Sequence, residues 1–358
     1  MYSRRIGEVK RVSRQSAKCE ILEVLCEGRI CRAYNFIPLT GPATAGDRIV
    51  INTTAVELNL GSGGYHFVCL NLNNPERSSR GQGHIMKLRY TPLQLRVRAV
   101  EEETSPYHAV MKEADNISGM PVIAAELHSM LAPFALALKK KLPKVRLAYV
   151  MTDGGALPAF FSRTLAVLKA RELICGTVTT GHAFGGDLEA VNVYSGLLAA
   201  RHVLKADAAV ASMGPGVVGT GTRFGFSGLE MGENLNRAAV LGGRPVALPR
   251  LSFADRRARH RGISHHTLTA LLKAALVSAD VPLPLLGEAE NAVICEQLAA
   301  GGLVEKHKFF RYYVAPDFFC GEESLCNTMG RGLKSDPAFF AAAAACALHT
   351  AAVLEKQG

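Results

Sequence analysis

Between residues 120 and 300, short apolar runs alternate with longer amphipathic stretches, six times in succession. The runs 122–125, 145–151, 174–180, 208–213, 245–248 and 281–286 read as buried strands. The stretches 127–141, 159–171, 188–204, 228–241, 265–279 and 289–300 read as helices. Strands separated by helices pair in parallel, because each crossover returns the chain to the same edge of the sheet. The pattern therefore predicts a doubly wound α/β domain, with a mostly parallel sheet and helices on both faces.

The first hundred residues follow a different period. Segments 6–12, 19–25, 30–36, 47–52, 65–70 and 85–90 are short and often alternate, and turn text such as Glu27-Gly28, Gly41-Pro42 and Gly46-Asp47 separates them. Such spacing predicts a small all-β, barrel-like domain over 1–100. The polar, initially acidic stretch 101–119 reads as a linker. Residues 120–358 read as the α/β ligand-binding domain, ending in an Ala-rich helix. The stretch 73–83 reads as an exposed loop.

Charge is distributed unevenly. Residues 1–100 carry 15 Lys+Arg against 7 Asp+Glu, whereas the remainder carries 26 against 24. The basic excess belongs to the N-terminal domain, which makes nucleic acid a candidate partner there beside the plainer reading of a solvated basic face. The nine cysteines include no CxxC pair, and Met1-Tyr2-Ser3-Arg4-Arg5 leads into a polar stretch rather than an apolar run. A reduced, cytoplasmic protein is the expectation. The apolar stretch 338–354 is mostly Ala and includes His349 and Thr350, with Asp336 and Pro337 as N-cap and first helical residue. It reads as a close-packed helix at a subunit interface of a homo-oligomer, not as a membrane span.

In open parallel sheets ligands bind beyond the carboxyl ends of the strands. Four strand ends carry the chemistry here. One holds Asp153, a second His182 and Asp187, and a third the glycine loop Gly214, Gly216, Gly219, Thr220 and Gly221. The fourth runs through Arg250, Ser252 and Asp255 into Arg259, His260, Arg261, Ser264, His265 and His266. Glycines after a strand allow bare amides to approach an anion. No Walker lysine follows them, and the next helix is delayed. Ser264 is placed to cap a helix with His265 and His266 in its first turn, where the dipole disfavours imidazolium. Arg259 and Arg261 offer forked donors for phosphate or carboxylate. A divalent metal is a cofactor this set admits, with Asp255, His260 and His266 as ligands. The adjacency of His265 and His266 argues against both meeting one ion from a regular helix.

The motifs Thr152-Asp153-Gly154-Gly155-Ala156-Leu157-Pro158, Gly181-His182-Ala183-Phe184-Gly185-Gly186-Asp187, Gly214-Pro215-Gly216-Val217-Val218-Gly219-Thr220-Gly221 and Arg259-His260-Arg261-Gly262-Ile263-Ser264-His265-His266 resemble an uncharacterised bacterial family of about this length, a domain of unknown function. The resemblance implies no activity and carries over no catalytic residues.

The residues themselves support an enzyme, a hydrolase or group transferase, acting on a small anionic, phosphorylated or nucleotide-like molecule. His182 or His265 would be the acid/base, oriented by Asp153 or Asp187. The alternative is a non-catalytic nucleotide sensor or nucleic-acid binder using the basic N-terminal domain.

Overall fold

The computed structural model describes residues 2–78 and 81–357, so Ser79 and Arg80 of the expected 73–83 loop lie outside the described residues. Near the N-terminus, β1 (Arg4–Ser16), β2 (Cys19–Cys26), β3 (Arg29–Phe36), β4 (Arg48–Asn52) and β5 (Tyr65–Asn71) close a barrel in the order β1-β2-β3-β5-β4. Closure requires one strand to pair on both sides. β1 does so because it is 13 residues long and is bent by register shifts at Val9/Arg11 and Arg14/Ser16. Its first part pairs with β4 and the rest with β2. Gly7 lies at the crossing, where a Cβ would meet Val24 Cγ1 at 2.4 Å. β3 and β5 pair in parallel. Val9, Leu22, Val24, Ile49 and Ile51 fill the interior. The expected sixth strand stays out of the barrel, since Ile85–Lys87 belongs to a different compact unit.

That division places Met1–Gln82 and Leu88–Arg96 in the first unit, and Gly83–Lys87 and Val97–Gly358 in the second. Residues 101–119, read as a linker, carry helix α1 (His108–Glu113), and Met111 and Ile117 are buried in the core of the second unit.

The second unit is built on eight strands: β6 (Pro121–Ala125), β7 (Leu147–Thr152), β8 (Gly176–Thr179), β9 (Leu188–Glu189), β10 (Ala208–Met213), β11 (Arg244–Leu248), β14 (Asp280–Pro284) and β15 (Lys308–Tyr312). Two short strands, β12 (Leu251–Ser252) and β13 (Gly262–Ile263), form a separate antiparallel hairpin. The sheet order is β9-β8-β7-β10-β6-β11-β14-β15, and every pair is parallel. Successive strand residues face opposite sides. Ile123, Tyr149, Met151, Val210 and Leu248 pack under α2 (Leu131–Lys141), α3 (Arg163–Ala170) and α8 (Pro337–Glu355). Val122, Val150, Val178 and Ala211 pack under α4 (Val193–His202) and α5 (Glu230–Val240). Ala247, Val281 and Leu283 share their cluster with α6 (His265–Thr269) and α7 (Glu288–Ala300). The expected layered α/β architecture is thus present.

Local differences have physical causes. The stretch 188–204 begins as the edge strand β9, and Asn192 caps α4 by accepting the Ser195 amide at 3.0 Å. Asp187 takes no part in that cap and accepts from Thr177 instead. Ser162, placed inside a helix by its pattern, instead caps α3. Helix α6 is followed by a π-helical turn over Ala270–Ala274, so the segment ends well before residue 279. The last strand, β15, had no clear alternation to announce it.

Helix α8 is long and apolar enough to cross a membrane by composition, yet 72% of its most apolar window is buried inside the fold. Phe339, Phe340, Ala343 and Ala347 lie in the core, so the helix read as a subunit contact is occupied by its own chain. Asp336 does not cap it. Its carboxylate accepts from Ser252 Oγ at 2.8 Å and Arg331 Nε at 2.9 Å.

Candidate functional site

The carboxyl ends of β6 and β11 lie side by side near the middle of the sheet, and a charged residue follows each. Glu126 comes directly after β6 and is 0% exposed; Arg250, just beyond β11, is 2% exposed. Arg250 reaches Glu126 Oε1 at 3.4 Å and Asp255 Oδ2 at 3.2 Å. Thr267 Oγ1 donates to Glu126 Oε2 at 2.8 Å. Burial pushes the Glu126 carboxyl up, and Arg250 and Thr267 pull it back only in part. Arg257 holds Asp255 with two bonds of 3.0 and 2.9 Å, which keeps that carboxyl well below its usual range. Asp255, a candidate metal ligand, is thus engaged by arginines.

Beside this network stand three imidazoles. One ring nitrogen from each of His260, His265 and His266 lies within 4.8 Å of the other two. Neighbours on a regular helix point about 100° apart, so the sequence argued against this convergence. It arises because His265 and His266 occupy the first turn of α6, while the β12–β13 hairpin folds the loop bearing His260 back onto them. Ser264 caps α6, its Oγ accepting the His266 amide at 3.2 Å, and also meets His260 Nδ1 at 2.8 Å. Phe226 stacks flat on His266, with ring centroids 3.9 Å apart.

The cluster disfavours protons. Burial lowers His260 to about 3, with Arg250 and Arg257 adding to the effect. Burial, the neighbouring histidines and Arg250 also lower His266 to about 3. His265 is lowered by burial and by Arg259. Two buried ring nitrogens, His265 Nε2 and His266 Nδ1, have no hydrogen-bond partner among the described residues. His266 Nδ1 lies 3.8 Å from Glu126 Oε1. An unsatisfied buried polar atom costs roughly 1–3 kcal/mol, so a purely structural cluster would carry an unrecovered penalty twice over.

The loop after β10 divides its glycines between two neighbourhoods. Gly214 and Gly216 lie against Ala156 of the β7 loop, where a Cβ on Gly214 would meet the Ala156 carbonyl oxygen at 2.3 Å. Gly219 and Gly221 belong to the histidines: a Cβ on Gly219 would lie 3.3 Å from His266 Cε1, and one on Gly221 4.0 Å from Arg259 Cζ. The segment turns back as a small hairpin, with Thr220 N donating to the Gly225 carbonyl at 2.8 Å and Val218 N to Ser227 Oγ at 3.1 Å. Those two amides are therefore not bare. Thr220 Oγ1 is within 3.0 Å of the Gly225 carbonyl as well.

The remaining candidates lie elsewhere. Asp153, after β7, accepts the His182 amide at 3.0 Å. Asp187 accepts Thr177 N and Oγ1, each at 2.9 Å, and pairs with Lys169. β8, which His182 follows, is four strand positions from β11, or about 19 Å at the usual spacing. His182 and His265 thus belong to different neighbourhoods of one sheet edge. The Arg261 guanidinium lies over the Phe253 ring, 5.7 Å from its centroid.

Glu230, at the start of α5, escaped the sequence reading. Thr152 Oγ1 donates to it, yet burial, helped by Asp153 and Glu233, raises its carboxyl to about 7. A raised acid contributes stability below its unfolded value of 4.5 and loses it as pH climbs through 7. Glu230→Gln should therefore match the parent near pH 4 and exceed it above pH 7 by up to about 3 kcal/mol. Urea midpoints measured across that range check the sign. His128 is a second residue that was missed. Its Nε2 meets Ser162 Oγ at 2.7 Å and its Nδ1 meets Tyr149 OH at 3.0 Å, while burial lowers it to about 4. With Gly216, Asn327 and Met329 it lines a cleft of about 210 Å³. A larger, mostly apolar cavity of about 660 Å³, lined by Met120, Leu142 and Val145, opens at the opposite, amino-terminal edge.

Fold and cluster together define a doubly wound parallel α/β protein, preceded by a five-stranded barrel, with histidines and arginines gathered at the carboxyl edge of the central strands. The chain belongs to the family described as protein of unknown function (DUF3866), whose model matches residues 32–347. No curated protein and no solved structure matches it.

Proposed function

We propose that this protein is an enzyme, a hydrolase or group transferase, acting on a small anionic molecule of phosphorylated or nucleotide-like type. The observation that carries this reading is the convergence of three imidazoles beside Arg259, against the Gly219–Gly221 limb of the hairpin. Arg259 is exposed and forms no ion pair among the described residues, which leaves its forked donors for a ligand anion. Neutral imidazole lone pairs next to a bound anion suit proton transfer or metal binding, and a fixed positive group suits charge developing on a transferred or hydrolysed group. All nine cysteines are free, which supports a reducing, cytoplasmic setting.

A thermal-shift panel of inorganic phosphate, nucleotides and sugar phosphates tests the reading. A ligand present at 100 times its Kd stabilises by about 2.7 kcal/mol. Arg259→Ala removes charge-assisted bonds and should weaken that ligand about 10- to 100-fold, with the unliganded melting temperature unchanged. A panel with no shift, or an equal shift in the variant, refutes the assignment.

A second reading attaches to the first unit. Its closed barrel, in the order β1-β2-β3-β5-β4, has the strand number of the Greek-key OB barrels that bind oligonucleotides across strands 2 and 3. β3 carries exposed Arg29 and Arg32. If single-stranded nucleic acid binds there, affinity should fall steeply with salt, by roughly 0.7 logarithmic units per phosphate contact for each tenfold rise. Absence of binding at low salt removes this reading.

A further inference from the structure

Resting on the reading of this edge as the ligand site, we propose that His260, His265 and His266 hold a divalent metal ion of the zinc class. Water or an anionic oxygen of the substrate completes its coordination. The geometry comes first. The three donor nitrogens lie within 4.8 Å of one another. A zinc ion at roughly 2.0–2.1 Å from each would draw them to about 3.3 Å apart, a closure on the order of 1 Å that ring rotations supply.

A second, independent observation is the pair of buried, unpartnered nitrogens, His266 Nδ1 and His265 Nε2. The His266 side chain is only 7% exposed. Packing does not account for them. Phe226 stacks on the His266 face, and a phenyl ring at position 266 could stack equally well. What a phenyl ring lacks is the lone pair.

The surroundings fit a resident cation. In the metal-bound tautomer, His260 Nδ1 donates to Ser264 Oγ at 2.8 Å, which leaves Nε2 as the ligand and fixes the ring. Glu126 stands 3.8 Å from His266 and supplies negative charge. The nearby Arg250 and Arg257 are already engaged by Glu126 and Asp255, so they do not act as two bare positive charges. Arg259 and the ion would then flank the same anion. Three nitrogen donors with a place left for oxygen match the ligand pattern of catalytic rather than structural zinc.

The test uses the full-length protein. Metal content is measured by elemental analysis after purification without chelator, and the chelator-stripped protein is titrated with Zn²⁺ and with Co²⁺ as a visible-absorption probe. One equivalent of metal and the spectrum of a nitrogen-coordinated Co²⁺ are expected. His265→Ala, the least buried of the three, should weaken binding at least about 100-fold while circular dichroism stays native. His260→Gln is the second variant, with the same expectation should the first fail to fold. No saturable metal binding by the native protein, or full affinity retained in either folded variant, overturns the proposal. Inorganic phosphate titrated into the stripped and loaded protein separates the two readings. Metal binding without any phosphate shift sinks the anion reading alone, and a phosphate shift without metal binding sinks the metal site alone.

Discussion

Arg250→Met is expected to destabilise the second unit by about 3–5 kcal/mol, the largest effect of any polar substitution in this edge. Arg250 is 2% exposed, and its guanidinium faces two carboxylates, Glu126 and Asp255, that are themselves buried. Removing it leaves Glu126 with a hydroxyl from Thr267 and no counter-charge. Asp255 fares better, because Arg257 still holds it. The loss should therefore be traceable to Glu126, and Glu126→Gln in the same chain should recover much of it, because a buried amide costs less than an unpaired carboxylate. An exposed pair such as Arg5–Glu27 is the control, where Arg5→Ala should change stability by less than about 1 kcal/mol. Urea unfolding of the single and double variants measures the coupling. Equal losses in both would show that the pair does not act as a unit.

Phe340→Ala should cost about 3–5 kcal/mol through lost burial and the cavity left behind. Phe340 is 1% exposed and belongs to the cluster that joins α2 and α8 to the sheet. The result separates the two lives open to an apolar, Ala-rich helix. A core helix loses the full cavity energy in aqueous unfolding. A helix destined for lipid would be peripheral to the folded domain, and the substitution would leave the unfolding midpoint unchanged. The burial of Phe339, Ala343, Cys346 and Ala347 on the same helix supports the first outcome.

Much of this architecture is legible in the residues. Strand 208–213 is marked by composition and punctuation alone, because a continuous apolar run that stops at a glycine has few alternative structures, and helix 289–300 is marked by amphipathic text between Gly287 and Gly301. Ser264 could be placed as a cap for the same local reason. The histidine cluster could not. His260 joins the others only through the β12–β13 hairpin, and a two-residue pairing leaves no periodic trace. Glu126 was open to discovery by the strand-end rule, as a lone carboxylate after an apolar run, but its partner Arg250 is 124 residues away. Glu230 could not be found at all, since its raised carboxyl depends on burial beside Thr152 and Asp153 from another strand end. The glycine loop carries a local need that its spacing does not announce: Gly214 answers to a close approach of the β7 loop and Gly219 to a histidine ring. Sequence patterns report local backbone needs well, and they report which distant side chains meet only when the fold is already known.

The most direct measurement is an anomalous difference map, collected at the zinc edge from crystals grown with Zn²⁺ and inorganic phosphate. A peak at roughly 2.0–2.1 Å from ring nitrogens of His260, His265 and His266 is predicted, with phosphate oxygen bridging it to the Arg259 guanidinium. An empty histidine cluster, with phosphate bound at another face of the second unit, would contradict the assignment of this edge as the ligand site.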